Sequence, residues 1–397
     1  MKHKNTAYID REAMIRNYAA INDITAKAAL ARGNHAPTVI CVVKADAYGH
    51  GIKVTANVLG SAGCGFFAVS SEEEAAELRL IERLNGRHPE ILILGHIDPE
   101  NVGAMIEDDI TCAVVSAENA RELCKAAHDY HVDHPETKPL KIHIKLDTGM
   151  NRVGFPTDGA NDEKTASKID EISKCADLRL CGIFTHFSCA DDELMDGKTV
   201  EGCDGGYTMM QLGRYKRILA LLEKRGVNVG IRHAANSAAI LKLPEAYFDA
   251  VRAGVILYGL MPNGSVDPRF TPVMEFVSTV THIHTVEAGE KISYGATFTA
   301  DKPMRIATVA AGYADGFERA YSGCEVTIRG KKFTQVGRIC MDQFMVDITD
   351  DGEISVGDEV VLFGGDGGES ANKLARRAGT INYEVVCKVS KRVTRIV

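Results

Sequence analysis

The stretch Thr38 to Gly51 reads TVICVVKADAYGHG. From Val39 to Val43 it is apolar and mostly β-branched, with no alternation of polar and apolar residues. That is the pattern of a parallel strand covered on both faces. Lys44 ends the run, and Tyr48, Gly49 and Gly51 follow it. Lysine is rarely buried without a reason. At the end of a hydrophobic strand, desolvation lowers its pKa and frees the amine for Schiff-base chemistry. The ordinary alternative is a lysine that closes the strand and reaches out to water.

Similar runs recur on either side. Strands are expected near residues 39–44, 65–70, 91–95, 111–115, 140–146, 180–186, 229–234 and 249–257. Helix-like stretches with charged faces lie between most of them, such as Ser71 to Asn85 and Ala117 to His131. The first opens with Ser71 before Glu72, Glu73 and Glu74, an acidic start suited to a helix N-terminus. Eight strand–helix cycles predict an α/β chain with an N-terminal (β/α)8 TIM barrel. A doubly wound open sheet is the alternative that periodicity leaves open. After Pro262 the texture changes to β-rich segments such as Ala307–Ala310, Glu325–Ile328 and Glu359–Phe363, divided by glycine turns. One helix is expected over Ser370 to Ala378. The reading is a barrel over residues 1–267 and a mostly-β domain over 268–397, with Met261 to Pro272 as linker. Asp158 to Lys164 and Asp191 to Gly206 read as surface loops.

The 397 residues carry 46 basic and 54 acidic side chains, a net charge of −8. That balance argues against nucleic acid or an anionic membrane as the main partner. Eleven cysteines at irregular spacing, without a CxxC pair, suit a reducing compartment better than a disulfide framework. Residues 1–10 lack the apolar core of a signal peptide, and no apolar run is long enough to span a bilayer. The expectation is a cytoplasmic, soluble protein.

A barrel gathers its chemistry where strands end. Lys44 falls at the end of the first expected strand, Lys145 and Asp147 at the fifth, and His186 at the sixth. His233 and Asn236-Ser237 follow the seventh, and Arg252 to Val255 fall in the eighth. Each has a plain structural reading; Asn236-Ser237, for instance, suits a helix cap. Together the last two sites make a phosphate cradle, with small residues, a hydroxyl and a helix N-terminus. A reactive lysine and a phosphate cradle point to pyridoxal 5′-phosphate (PLP), for which the protein sets orientation and electronics. Arg252 is a candidate partner for the pyridine nitrogen. A cation there cannot accept a proton, which limits delocalisation.

These residues resemble those of the PLP-dependent alanine racemases, and the likeness runs the length of the chain. It is carried by Val43 to Gly51, Lys145 to Gly154 (KLDTGMNRVG), Thr185-His186-Phe187, His233 to Ser237 and Val251 to Gly254. In the second half it continues with Ser293 to Ala296 (SYGA), Gly312 to Gly316 (GYADG), Gly337 to Asp342 and Ile381 to Glu384. Asn151, where the family often has glycine, and Val255, in place of isoleucine, are its small departures.

The resemblance implies that Lys44 holds PLP and is one catalytic base, and that Tyr294, from a partner subunit, is the other. It implies that Tyr48, Asn236, Ser237, Gly254, Val255 and Tyr383 help bind the cofactor, its phosphate above all. Arg252 would contact the ring nitrogen, supported by His186 and His233. Arg152 would steady both cofactor and substrate carboxylate, Met341 would offer its N–H to that carboxylate, and Tyr313 would narrow the entrance. Lys145 matches a lysine often carboxylated in the family. No metal is called for. The implied activity interconverts L- and D-alanine in a homodimer, supplying D-alanine for peptidoglycan. A serine or broad-specificity racemase is the alternative. A PLP decarboxylase would need an acidic partner for the ring nitrogen, and a single-barrel PLP carrier would lack the second domain.

Overall fold

The computed structural model describes residues 5–191, 206–365 and 368–397. They form two compact units. One holds Tyr18–Lys44 and Leu59–Leu257, and the other holds the described residues up to Asn17 together with Ala45–Val58 and Tyr258–Val397.

In the first unit eight strands pair in parallel: Thr38–Val42, Phe66–Val69, Glu90–Ile93, Thr111–Val114, Leu140–Asp147, Leu178–Phe184, Ile231–His233 and Ala250–Ala253. Each pairs with the next. The last returns to the first, with Ala250 opposite Thr38 and Ala253 opposite Cys41. The sheet therefore closes on itself as a (β/α)8 barrel, and the open-sheet alternative falls. Phe66–Val69 and Thr111–Val114 are buried along their whole length, as their unbroken apolar runs require. Helices start where capping side chains wait: Ser71 Oγ accepts from Glu74 N before Glu72–Leu84, and Ser116 Oγ from Asn119 N before Ala117–Asp133.

Two local expectations change and a third lies outside the described residues. The eighth strand stops at Ala253, so Gly254 and Val255 lie just past its end, and a 3₁₀ turn covers Val255–Tyr258. The expected loop at Asp158 to Lys164 is already helical from Asp162, because a helix runs over Asp162–Ser173 with acids in its first turn. The loop expected at Asp191 to Gly206 lies outside the described residues except for its two ends.

The second unit is built round one strand, Met274–Val286, thirteen residues long. Phe276 to Thr279 pairs with Glu359–Phe363, and Val280 to Val286 pairs with Met304–Val309. Register shifts in both ladders let this one strand serve both partners. Thr6–Ile9 lies beside it, antiparallel to Met274–Val277 and parallel to Thr394–Ile396 on its other side. The chain therefore does not divide once at residue 267. Its first strand belongs to the β unit, since a four-residue strand carries no signal of which sheet will take it.

Cysteine usage also differs from expectation. Cys124, on the helix Ala117–Asp133, is disulfide-bonded to Cys175. Cys41, Cys64, Cys112, Cys181, Cys324 and Cys340 are free thiols. The pairing is a tertiary contact across 51 residues, which spacing alone does not reveal. No helix of the described residues is long and apolar enough to cross a membrane.

Ala7 is fully buried and pairs on both sides. Ala7→Pro removes a ladder donor from an inner strand. The expected loss is about 1–3 kcal/mol, confined to the β unit. Hydrogen exchange should accelerate at Met274–Val286 and Thr394–Ile396 while the barrel strands keep their protection. Equal acceleration in the barrel would return Thr6–Ile9 to that domain.

Candidate active site

The barrel's strand ends converge on Arg252. Its side chain is buried, with a relative exposure of 4% for the residue, and its guanidinium meets acceptors on two fronts. Nη1 donates to His233 Nδ1 at 2.9 Å and to the His233 carbonyl at 3.2 Å. Nη2 donates to the carbonyls of Thr185 at 2.7 Å and Ala234 at 3.0 Å, and to His186 Nδ1 at 3.2 Å. No carboxylate is among these partners. Burial lowers the pKa of Arg252 to about 10, so the group remains a cation at neutral pH.

Because guanidinium only donates, both imidazole nitrogens that face it must accept. His233 then carries its proton on Nε2 and gives it to His143 Nδ1, 3.0 Å away. The result is a directed chain, Arg252 to His233 to His143. Desolvation, helped by the Arg252 charge, keeps His186 and His233 well below the usual histidine pKa. Burial first, then Lys141 and Arg252, takes His143 down to about 3. His143 fits only because its neighbour across the sheet is Gly182; a Cβ there would lie 2.5 Å from the imidazole ring.

Lys145 is buried at the end of the same strand as His143 and donates to the Leu146 carbonyl at 2.7 Å. Burial, with Arg252 and Arg152 nearby, lowers its pKa to about 7 against the opposing pull of Asp147. Asp147 itself organises the following loop. Its Oδ1 accepts from Gly149 N at 2.9 Å and Asn151 N at 3.0 Å, and its Oδ2 from Arg152 N at 3.1 Å. Asn151 sits at φ 53°, a left-handed position that glycine or asparagine tolerates best.

Past the next strand ends, Asn236 caps the helix Ser237–Lys242 by accepting from Ala239 N at 3.0 Å. Ser237 Oγ accepts from Gly254 N at 2.9 Å. The structure thus brings Ser237 and Gly254 together, while the Asn236 carbonyl is occupied by its cap. Lys44 is half-buried two residues beyond the first strand, and its charge is felt at His186.

In the second unit the chain after Lys44 makes an unusual turn. Ala45, Asp46, Ala47 and Tyr48 all have φ between 53° and 55°. Left-handed backbone costs roughly 1–2 kcal/mol per non-glycine residue, so the surroundings must impose it. Arg395 grips the Gly49 carbonyl with Nε at 3.0 Å and Nη2 at 2.8 Å. Gly49 packs so closely on Val386 that a Cβ would lie 2.1 Å from its carbonyl oxygen. The turn sets the Tyr48 ring 5.2 Å from Tyr258 and 6.1 Å from Tyr383. Burial raises the Tyr48 pKa, so its hydroxyl stays protonated.

The same unit presents Tyr294 and Met341 in one open hollow with Ser293, Gly295 and Cys340. Tyr294 is 69% exposed and Met341 53%. Tyr294 is flanked by left-handed Ser293, Gly295 and Ala296, with Ser293 Oγ donating to the Arg338 carbonyl at 2.6 Å. Tyr313 N donates to Cys340 O at 3.1 Å, which ties the third expected residue to the Met341 segment.

Family models divide the chain in the same order as this geometry. The alanine racemase N-terminal domain matches residues 9–262 and the alanine racemase C-terminal domain residues 273–397. The chain belongs to the alanine racemase family. It is 40% identical to an alanine racemase of Methanococcus maripaludis over 100% of this chain and 99% of the relative. An alanine racemase of Clostridium novyi is also 40% identical, over 90% and 88% of the two chains. The structure of the Clostridium difficile 630 alanine racemase matches with a TM-score of 0.86 at 36% identity, covering 100% of this chain and 96% of that one. The Bacillus anthracis alanine racemase with bound L-Ala-P gives 0.85 at 31% identity, over 100% and 95%.

Within this alanine racemase family member, sequence reasoning missed His143 and Gln211. Gln211 Nε2 donates to Thr148 Oγ1 at 3.3 Å and to the His186 carbonyl at 3.2 Å. His143 had one visible signal, a lone polar ring between Ile142 and Ile144 in an otherwise apolar run. Gln211 had none, since a single glutamine in a helix-like run is locally indistinguishable from a solvated one.

The buried histidines fix an acid response. His143, His186 and His233 are held neutral, as is His50, which burial lowers to about 4. An unfolded histidine takes up a proton near pH ~6.5. As the pH falls through that value the unfolded chain gains protons that the folded one refuses, so stability drops from there downward. Imidazole ¹⁵N shifts of His143 and His233 should stay flat between pH ~8 and ~5.5. A titration of either near its ordinary value would break the assigned proton chain.

Proposed function

We propose that this protein interconverts L- and D-alanine by a PLP-dependent two-base mechanism, in a homodimer whose subunits share each active site. The family match over both halves supports the activity. Arg252 is the observation that supports the mechanism: it is a buried, donor-only cation, whereas a PLP decarboxylase would need a carboxylate as partner for the ring nitrogen.

The residues present suit PLP. Lys44 follows a buried strand, and Ser237 Oγ, which accepts from the Gly254 N–H, keeps its own hydroxyl proton to donate past neighbouring strand ends. Tyr48 keeps a phenolic proton to give to an anion, and Tyr383 stands beside it. Val255, just after Gly254, adds a backbone N–H, and Asn236 holds the helix start in place. When bound, PLP supplies the electron sink that makes the α-proton of an amino acid removable. Arg252 can donate to a ring nitrogen but cannot hand over its proton, since its pKa stays near 10. His186 and His233 hold it in line by accepting from it.

Racemisation removes a proton from one face of the α-carbon and returns one to the other. A single base mostly restores the starting enantiomer, so two are needed. Lys44 Nζ serves one face and Tyr294 Oη of the second subunit serves the other, with roles exchanged for L and D substrate. Arg152 and the Met341 N–H hold the substrate carboxylate, and Tyr313 narrows the entrance to a small side chain. Tyr294, Met341 and Tyr313 are 69%, 53% and 43% exposed, an apolar grouping that suits cover by a second copy. D-Alanine for peptidoglycan, made in the cytoplasm, is the role that fits this activity.

Tyr294→Phe should cut racemisation in both directions about 10²-fold or more, since each direction uses both bases, while sparing Cα proton abstraction by Lys44 from one enantiomer alone. Hydrogen–deuterium exchange at Cα, followed separately from each enantiomer, reads the asymmetry. Equal mild losses in both directions would remove Tyr294 from the reaction, and a similar rate on serine would widen the substrate class.

Lys145 carries a second proposal, carboxylation on Nζ. With its pKa near 7 the amine is partly neutral and can add to carbon dioxide, releasing one proton. The carbamate would turn its repulsion from Arg252 and Arg152 into attraction. ¹³C-bicarbonate should give a carbamate signal that Lys145→Ala abolishes; a spectrum without one would leave Lys145 an amine.

A further inference from the structure

At the barrel end opposite the strand ends that carry Arg252, five metal-ligating side chains meet. Cys124, His128 and His131 lie on the helix Ala117–Asp133 at intervals of four and three residues, which puts them on one face. Cys175 and Asp177 come from the turn between the helix Asp162–Ser173 and the strand Leu178–Phe184. The two sulfurs and an Asp177 oxygen all lie within 4.8 Å of one another. His131 Nδ1 is 2.8 Å from Asp177 Oδ1, and His128 Nδ1 is 3.2 Å from Oδ2. His131 Nε2 faces the Lys138 carbonyl at 3.1 Å. A ring whose far nitrogen donates to a carbonyl presents its near nitrogen as a metal ligand does. A disulfide by itself accounts for the two cysteines. It does not account for the carboxylate beside them or for the two imidazoles that bond that carboxylate.

We propose that Cys124, Cys175, Asp177 and His131 form a structural zinc site in the reduced chain, and that the Cys124–Cys175 disulfide is its oxidised, metal-free form. Two thiolates, a carboxylate and an imidazole are the soft and borderline donors that zinc takes in a closed tetrahedron. A dithiol reductant breaks the S–S bond. The bond accepts two electrons and two protons, and the reductant becomes a disulfide. Zinc then displaces both thiol protons and, where His131 is charged, the Nδ1 proton. The sulfurs must part to ~3.8 Å, the separation of two thiolates about ~2.3 Å from one zinc. Both forms therefore join the same helix to the same turn, and redox state decides which crosslink does so.

The test uses the cofactor-loaded protein. It is reduced with a phosphine, stripped with a chelator, mixed with zinc chloride and desalted, and bound zinc is measured by mass spectrometry. Oxidised protein and the C124S/C175S variant run in parallel, with circular dichroism and racemase activity as checks of folding. The reduced protein should retain about one zinc per chain beyond C124S/C175S, and the oxidised protein should retain none beyond it. Asp177→Asn and His131→Ala should each weaken retention about tenfold or more against a competing chromophoric chelator. Cobalt in place of zinc should give thiolate charge-transfer absorption in the reduced protein alone. Equal zinc in the reduced protein and C124S/C175S overturns the site. If that variant does not fold, equal zinc in the reduced and oxidised native chains does the same. Unchanged retention in Asp177→Asn and His131→Ala overturns the ligand set.

Discussion

A guanidinium with no carboxylate partner among the described residues, buried at the ends of a parallel barrel, is the constraint on which much of this structure depends. Arg252 is held by the Thr185, His233 and Ala234 carbonyls and by two imidazoles. Those acceptors belong to strand ends and the residues just past them, so the barrel must close for the cation to be tolerated. In turn the cation dictates the proton positions of its neighbours. His186 and His233 must present bare nitrogens, His143 must receive the His233 proton, and Gly182 must leave room for His143. A carboxylate beside Arg252 would satisfy it more simply, but would offset its charge.

The β unit meets a different constraint, the placement of side chains on strained backbone. Ala45 to Tyr48 and Ser293 to Ala296 both run through left-handed conformations. Such backbone persists only where the surroundings over-determine it. Arg395 and the Gly49–Val386 approach do so at the first turn, and the Ser293–Arg338 hydrogen bond at the second. Gly312 serves the Tyr313 segment, since a Cβ there would lie 2.3 Å from the Cys340 carbonyl oxygen.

Much of the barrel was legible because buried parallel strands are locally distinctive. The eight apolar runs fell where the eight strands lie, and two of the polar residues at their ends, His186 and His233, bond Arg252. Thr6–Ile9 was not legible, since pairing with Met274 to Val277 crosses nearly the whole chain. The Cys124–Cys175 bond was hidden for the same reason. Asn151 was visible as a departure from the family pattern, and its φ of 53° gives the reason that asparagine suffices there.

The sequence by itself determined the repeating α/β order, the β-rich second half, and the residue types available for chemistry. These follow from local periodicity, turn residues and short motifs, which need no knowledge of distant neighbours. Tertiary structure decided which groups are charged and which way their hydrogen bonds run. It lowered Lys145 to about 7 and His143 to about 3 by burying them near cations. It also chose which sheet took the first strand. Burial and proximity are properties of the closed fold, and a pKa depends on both.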